Sequence, residues 1–142
     1  PFIIYGLNPK QVVERVQKFN PDIVGISVLF SMTINLAYDI CRELKKELPN
    51  LPIILGGQHA SGVPLDVIKR PYVDYVITGE AENTIIKFME ALNGKINFNE
   101  VGHLYYKKSN GDVVNTNELN QLMPLVKGEG WNYYSRRDSS VP

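Results

Sequence analysis

Apolar and polar positions fall into blocks along this chain. Phe2-Ile3-Ile4-Tyr5 is a short apolar run and reads as a strand at the N-terminus. Asn8 offers a capping side chain, and Pro9 suits a first helical position. Val12, Val13, Val16 and Phe19 then recur at helical spacing, with Lys10, Glu14, Arg15 and Lys18 on the opposite face. Asn20-Pro21-Asp22 closes that helix, because proline disfavours the helical conformation in the residue before it.

The run Ile23-Val24-Gly25-Ile26-Ser27-Val28-Leu29 is almost continuously apolar, the pattern of a strand covered on both faces. Thr33 or Asn35 can cap the next helix, whose apolar stripe is Leu36, Ala37, Ile40, Cys41, Leu44 and Leu48. Pro52–Leu55 is a second buried strand closed by Gly56-Gly57. A polar stretch follows, with a helical turn at Pro64–Lys69. Val73–Thr78 is a third strand, ending in Gly79. A helix over Glu80–Leu92 turns Ile85, Ile86, Phe88, Met89 and Leu92 inward and stops at Asn93-Gly94.

Strands that alternate with helices, and read as runs, argue an α/β fold with a parallel sheet wound on both faces. The last third changes character. Val101–Lys107 and Asp112–Asn115 flank Asn110-Gly111, a strong hairpin signal. Beyond Pro124 the pattern fades into an arm containing Trp131, Tyr133 and Tyr134. These boundaries divide the chain into an α/β domain over 1–96, a hairpin extension over 97–126 and a linker over 127–142.

Composition narrows the function classes. With 142 residues the prior is one domain, and 44% hydrophobic with 21% charged residues is globular composition. Fifteen basic residues balance fifteen acidic ones, which leaves no electrostatic footprint for nucleic acid or an anionic membrane. The single cysteine, Cys41, excludes an internal disulfide, a cysteine zinc site and an iron–sulfur site built by this chain alone. A reducing cytoplasm is the expected compartment. Cys41 lies on an apolar helix stripe and reads as a buried, inert thiol.

In an open doubly wound sheet, ligands bind beyond the carboxyl ends of the strands. Three such ends carry residues that packing does not require: Ser27-Val28-Leu29 with Ser31 beyond, Gly56-Gly57-Gln58-His59, and Thr78-Gly79-Glu80. Glycine lets a ligand approach the backbone, and a hydroxyl can bond a ligand heteroatom. The turns contain neither Gly-x-Gly-x-x-Gly nor Gly-x-x-x-x-Gly-Lys-Ser/Thr, so a dinucleotide cradle and a P-loop are both excluded. His59 reads as a solvated loop histidine and His103 as a structural residue of the hairpin.

Ser27-x-Leu29 followed by Gly56-Gly57 resembles half of a cobalamin-binding fingerprint. Pro21-Asp22-Ile23-Val24-Gly25-Ile26-Ser27, Leu55-Gly56-Gly57-Gln58-His59-Ala60 and Val73–Glu82 are similar to the cobalamin-binding domain preceding a radical S-adenosylmethionine domain. The anaerobic magnesium-protoporphyrin monomethyl ester cyclase and cobalamin-dependent methylases form that class. Gly102–Asn115 resembles the hairpin that follows the domain.

The resemblance implies a flavodoxin-like (Rossmann-like) three-layer parallel sheet, with its first strand ahead of residue 1, plus a C-terminal β-hairpin. It implies cobalamin with its nucleotide tail in the sheet-edge groove, in the base-off form. Ser27 would bond the nitrogen of the displaced dimethylbenzimidazole, Leu29 and Ser31 would line the tail's slot, Gly56 and Gly57 would admit the tail, and Gly79 and Glu80 would border its far end. A bulky residue at Gly57 is then expected to abolish cobalamin uptake and leave the fold largely intact; if the glycines only form a turn, thermal stability should drop instead, with no separate loss of binding.

The lower-ligand motif Asp-x-His-x-x-Gly is expected before residue 1. The Cys-x-x-x-Cys-x-x-Cys motif of an iron–sulfur cluster, with S-adenosylmethionine, belongs to a radical domain expected after residue 142. The chain is thus expected to be a module without catalytic or metal-ligating residues of its own, acting in methyl transfer or tetrapyrrole cyclisation beside its downstream radical domain. The strands at 2–5 and 23–28 are expected to pair directly in a contracted sheet, the alternative being that another chain fills the slot between them; weak cobalamin affinity in isolation and homo-oligomers through exposed strand edges are further expectations. The competing readings are a fold-retaining interaction domain that no longer binds cobalamin, and a flavin-binding electron carrier.

Overall fold

Residues 6–117 are described by the structure, a computed structural model; the strand expected over 2–5 and the arm beyond residue 117 lie outside them. Helix α1 (Pro9–Phe19) begins as its sequence requires. The Asn8 side chain accepts from the Gln11 amide while the Gln11 side chain accepts from the Asn8 amide, each at 3.0 Å, and Pro9 occupies the first turn. Asn20 ends it in the left-handed conformation, a terminus that asparagine adopts more readily than most residues.

Strands β1 (Val24–Ser27), β2 (Ile53–Gly56) and β3 (Tyr75–Ile77) are parallel neighbours in that order. Side-by-side placement follows from right-handed crossovers between successive strands. Helix α2 (Ile34–Glu47) links the first two, and α3 (Gln58–Gly62) with α4 (Pro64–Ile68) links the second pair. The hairpin does more than follow the domain: β4 (Leu104–Lys107) pairs antiparallel with β3, and β5 (Val113–Asn115) with β4. The sheet is therefore mixed, not wholly parallel, and its five strands run β1-β2-β3-β4-β5. The hairpin loop spans Lys108–Asp112 and is closed by the Lys108 amide on the Asp112 carbonyl at 2.9 Å.

Two apolar clusters sandwich the sheet. On one face, Ile53, Leu55 and Val76 meet Ala37, Tyr38, Cys41 and Leu44 of α2 and Val67 and Ile68 of α4, with Val13 of α1 joining them. On the other, Ile54, Ile77 and Leu104 meet Phe88 and Ala91 of α5 (Glu82–Leu92), with Tyr75, Phe98 and Tyr106 stacked alongside. The three expected layers are present.

Several faces differ from the periodic reading. Gly25 and Ser27 alternate with half-buried Val24 and Ile26, so β1 is covered on one face only among the described residues. Phe19 is 82% exposed, past the last turn of α1 that packs on α2. Neither Thr33 nor Asn35 caps α2 through its side chain; the Thr33 hydroxyl donates instead to the Phe30 carbonyl at 2.8 Å. Leu36 is exposed where Tyr38 is buried, and on α5 Thr84, Phe88 and Ala91 are buried while Ile86 is 61% exposed. Each helix is rotated slightly from the sequence reading, because a stripe of apolar residues wider than the sheet contact cannot be buried whole.

Asp74 holds the amino ends of the strands together. Its carboxylate accepts from the Ile53 amide at 2.7 Å and pairs with Lys45 at 2.6 Å, and Lys45 also donates to the Leu51 carbonyl at 2.8 Å. Asp74→Ala leaves a strand amide without its acceptor. The expected loss is about 1–3 kcal/mol, read from urea unfolding; an unchanged midpoint would show that water replaces the carboxylate.

Candidate functional site

The carboxyl ends of β1 and β2 lie in register, with Ser27 opposite Gly56, so their Cβ directions share one face of the sheet. That is the face on which β1 is uncovered. Ser27 is exposed, and its hydroxyl makes no hydrogen bond among the described residues. A Cβ built at Gly56 would meet only the Ile77 carbonyl, at 3.7 Å, an ordinary contact. Together they form an open strip of backbone, with a hydroxyl beside it that is free among the described residues.

Gly57 has a different task. Its φ of 93° and ψ of 179° fall in a region that essentially only glycine occupies. A Cβ there would lie 2.7 Å from the Val28 carbonyl oxygen, closer than real Cβ atoms come. The turn brings α3 against the end of β1, where the Val28 amide donates to the Gly56 carbonyl at 2.8 Å and the Val28 carbonyl accepts from the His59 amide at 3.1 Å. The fold itself therefore requires Gly57. The expectation that a bulky residue there would spare the fold is corrected by this contact.

Leu29 and Ser31 sit on the loop after β1. Leu29 is 58% exposed, and its neighbours Phe30 and Met32 are exposed as well. The Ser31 hydroxyl lies 2.9 Å from His59 Nδ1, so the histidine is engaged with this loop rather than simply solvated. On the far side, Gly79 takes a φ of 71° with nothing within 4 Å of its would-be Cβ, and Glu80 is exposed. The Gly79 amide donates to Ser61 Oγ at 2.9 Å. Helix α3 thus bonds to the loops after both β1 and β3.

All seven candidates, Ser27, Leu29, Ser31, Gly56, Gly57, Gly79 and Glu80, lie at or just beyond the carboxyl edge of the sheet. Phe30, Met32, His59 and Ser61 were not singled out as site residues. The first two lie three and five residues beyond the end of β1, and the other two lie two and four residues beyond the glycine pair; closeness to a strand end is the signal that marks them. Clefts elsewhere, such as one of about 440 Å³ between Val16–Asp22 and Glu47–Pro52, sit at the opposite, amino end of the strands.

The remaining titratable candidates are structural. Cys41 is fully buried; burial, then the nearby Asp74 charge, push its thiol from 9.0 up to about 12. Its folded pKa stands above the unfolded one, so the stability it contributes is present below pH 9 and lost as pH rises from about 9 to 12. Native protein is expected to resist iodoacetamide at pH 8 and to react fully in denaturant; rapid native labelling would show that α2 opens. His103 adopts a φ of 56°, and its carbonyl accepts from the Thr78 amide at 2.9 Å, joining the hairpin to β3. No group of three or more His, Cys, Asp or Glu side chains suited to a metal occurs among the described residues, and no helix there is long and apolar enough to cross a membrane.

Comparison with known proteins converges on one family. Residues 2–88 match the model of the B12 binding domain. The chain is 32% identical over 125 residues to cytidylyl-2-hydroxyethylphosphonate methyltransferase of Streptomyces wedmorensis, covering 88% of this chain and 23% of that protein. It is 29% identical over 130 residues to the anaerobic magnesium-protoporphyrin IX monomethyl ester cyclase of Synechocystis sp., covering 88% and 26%. The chain spans about a quarter of the length of these curated relatives. Among solved structures, the cobalamin-dependent S-adenosylmethionine radical enzyme OxsB with aqua-cobalamin and S-adenosylmethionine bound superposes with a TM-score of 0.66 at 24% identity, over 75% of this chain and 15% of that one. This likeness is one of fold.

Proposed function

The chain belongs to the B12-binding domain family, and from that premise we propose that it is the cobalamin module of a longer radical S-adenosylmethionine enzyme. One observation supports the placement best: a Ser27 hydroxyl without a partner among the described residues stands beside the open backbone of Gly56, on the face where β1 is exposed. A long, flat and largely apolar nucleotide tail needs such a surface, with few side chains and one or two polar groups. The residues present therefore fit the cofactor.

In this reading the Ser27 hydroxyl would donate a hydrogen bond to a nitrogen of the dimethylbenzimidazole. Gly56 admits the tail, Leu29 and Ser31 flank it, and Gly79 and Glu80 bound its far end. Gly57 acts on the site through the backbone turn it permits. Cobalamin, when bound, supplies the transferable methyl group or the one-electron chemistry of the whole enzyme. This domain supplies placement. The α/β unit would carry the cofactor, the hairpin of β4 and β5 completes the sheet among the described residues, and the radical domain of the longer enzyme would hold the iron–sulfur cluster and S-adenosylmethionine. Methyl transfer or ring closure on a tetrapyrrole is the reaction class in keeping with the relatives. No observation favours an interaction domain without cobalamin, or a flavin carrier.

The outer edge of β1 has no strand partner among the described residues, and a further strand of the same protein is its natural occupant. The chain by itself is expected to bind cobalamin weakly. Titrating it into hydroxocobalamin should give a saturable shift of the visible absorption towards the base-off form. An unchanged spectrum at every protein concentration contradicts the proposal; tight stoichiometric uptake contradicts the expected weak affinity.

A further inference from the structure

Helix α3 is five residues long, yet two of its side chains reach the loops on either side. His59 Nδ1 meets Ser31 Oγ at 2.9 Å, and Ser61 Oγ accepts from the Gly79 amide at 2.9 Å. Core packing requires neither bond, since Ala60 supplies the buried contact of this helix. The His59 ring also starts from a fixed point, because its own amide is bonded to the Val28 carbonyl at 3.1 Å. Ser31 opens a short 3₁₀ turn, in which the Ile34 amide bonds to the Ser31 carbonyl, but its side chain is exposed, and without the ring its hydroxyl would rotate freely.

The contact has a chemical consequence. If Nδ1 accepts, the Ser31 proton points at His59 and both lone pairs of the hydroxyl remain. If Nδ1–H donates, Ser31 keeps its proton and one lone pair. In either tautomer the hydroxyl oxygen is held in place with bonding capacity left for a ligand. An ordered hydroxyl loses less freedom when it binds than a rotating one.

We propose that His59 is a positioning residue for the nucleotide tail of cobalamin, acting through the Ser31 hydroxyl. This rests on the cobalamin reading of the edge and adds the residue that sets the edge's polar geometry. His59 touches neither the corrin nor cobalt in this account, so its effect should be confined to ligands that carry the tail.

The test compares the affinity of the 142-residue chain for aquacobalamin and for cobinamide, which has the corrin but neither nucleotide nor benzimidazole. His59→Phe and Ser31→Ala should each weaken aquacobalamin by about tenfold, and the double variant should lose no more than either single one. Cobinamide affinity should match wild type in all three. His59→Asn, which can place an amide near the Nδ1 position, should recover most of the loss and guards against misfolding of the phenylalanine variant. Unchanged aquacobalamin affinity in both His59 variants overturns the proposal. So do additive losses, or equal weakening towards cobinamide, which would mark a role in shape alone. Failure of the cobalamin reading shows differently: the wild-type chain takes up neither corrinoid, and the assignment of His59 falls with it.

Discussion

Gly57→Leu is expected to destabilise the domain strongly, not merely to empty its ligand site. The backbone region of Gly57 costs other residues about 1–3 kcal/mol. Forcing a side chain into a packed position costs about 1–3 kcal/mol more. The obstacle is also backbone, because the nearest atoms to a Cβ at Gly57 are the carbonyl oxygen, carbonyl carbon and amide nitrogen of Val28, at 2.7–2.9 Å. A rotamer change cannot relieve that clash. The sum, about 2–6 kcal/mol, is a large part of the 5–15 kcal/mol that holds a typical domain folded. Even Gly57→Ala should lower the urea midpoint clearly. A leucine variant that melts with wild type would mean that the turn is not built as the structure shows.

Gly56→Leu should do the opposite. Its Cβ has room, so the fold should lose little, but the side chain would project beside Ser27 over the open strip. Uptake of cobalamin should then be abolished, with thermal unfolding close to wild type. Ser27→Ala removes one hydrogen bond of about 0.5–1.5 kcal/mol and should weaken binding about threefold to tenfold. Adjacent glycines with opposite phenotypes are the most specific consequence of this geometry. Equal cobalamin binding by a folded Gly56→Leu protein would move the tail elsewhere.

The contrast also marks where the sequence was legible. The parallel order of β1, β2 and β3, and the gathering of Ser27, Gly56 and Gly79 at one edge, followed from strand–helix alternation and crossover handedness. The Asn8-Pro9 start of α1 followed from side-chain chemistry within one turn. Local signals carried these. What was not legible depended on contacts distant in sequence. A glycine pair after a strand does not say which member clashes with a neighbouring strand; only the approach of Val28 separates Gly56 from Gly57. Asn110-Gly111 announced a hairpin but not that β4 would pair with β3, because edge pairing has no motif. Likewise the periodicity of α5 placed Ile86 inward, and only the width of the sheet contact decides that Phe88 and Ala91 take the core. His59 looked like a loop residue because α3 is too short to show a period.

The central claim is that this sheet edge takes cobalamin with its dimethylbenzimidazole drawn away from cobalt and laid beside Ser27 and Gly56. Electron paramagnetic resonance of cob(II)alamin reads that state directly, because the lower-axial nitrogen splits the cobalt lines when it is bound. Protein should be added until the spectrum stops changing. The account predicts that the nitrogen splitting disappears with the wild-type chain and persists with Gly56→Leu. A nitrogen splitting that survives saturation with folded wild-type chain would contradict it.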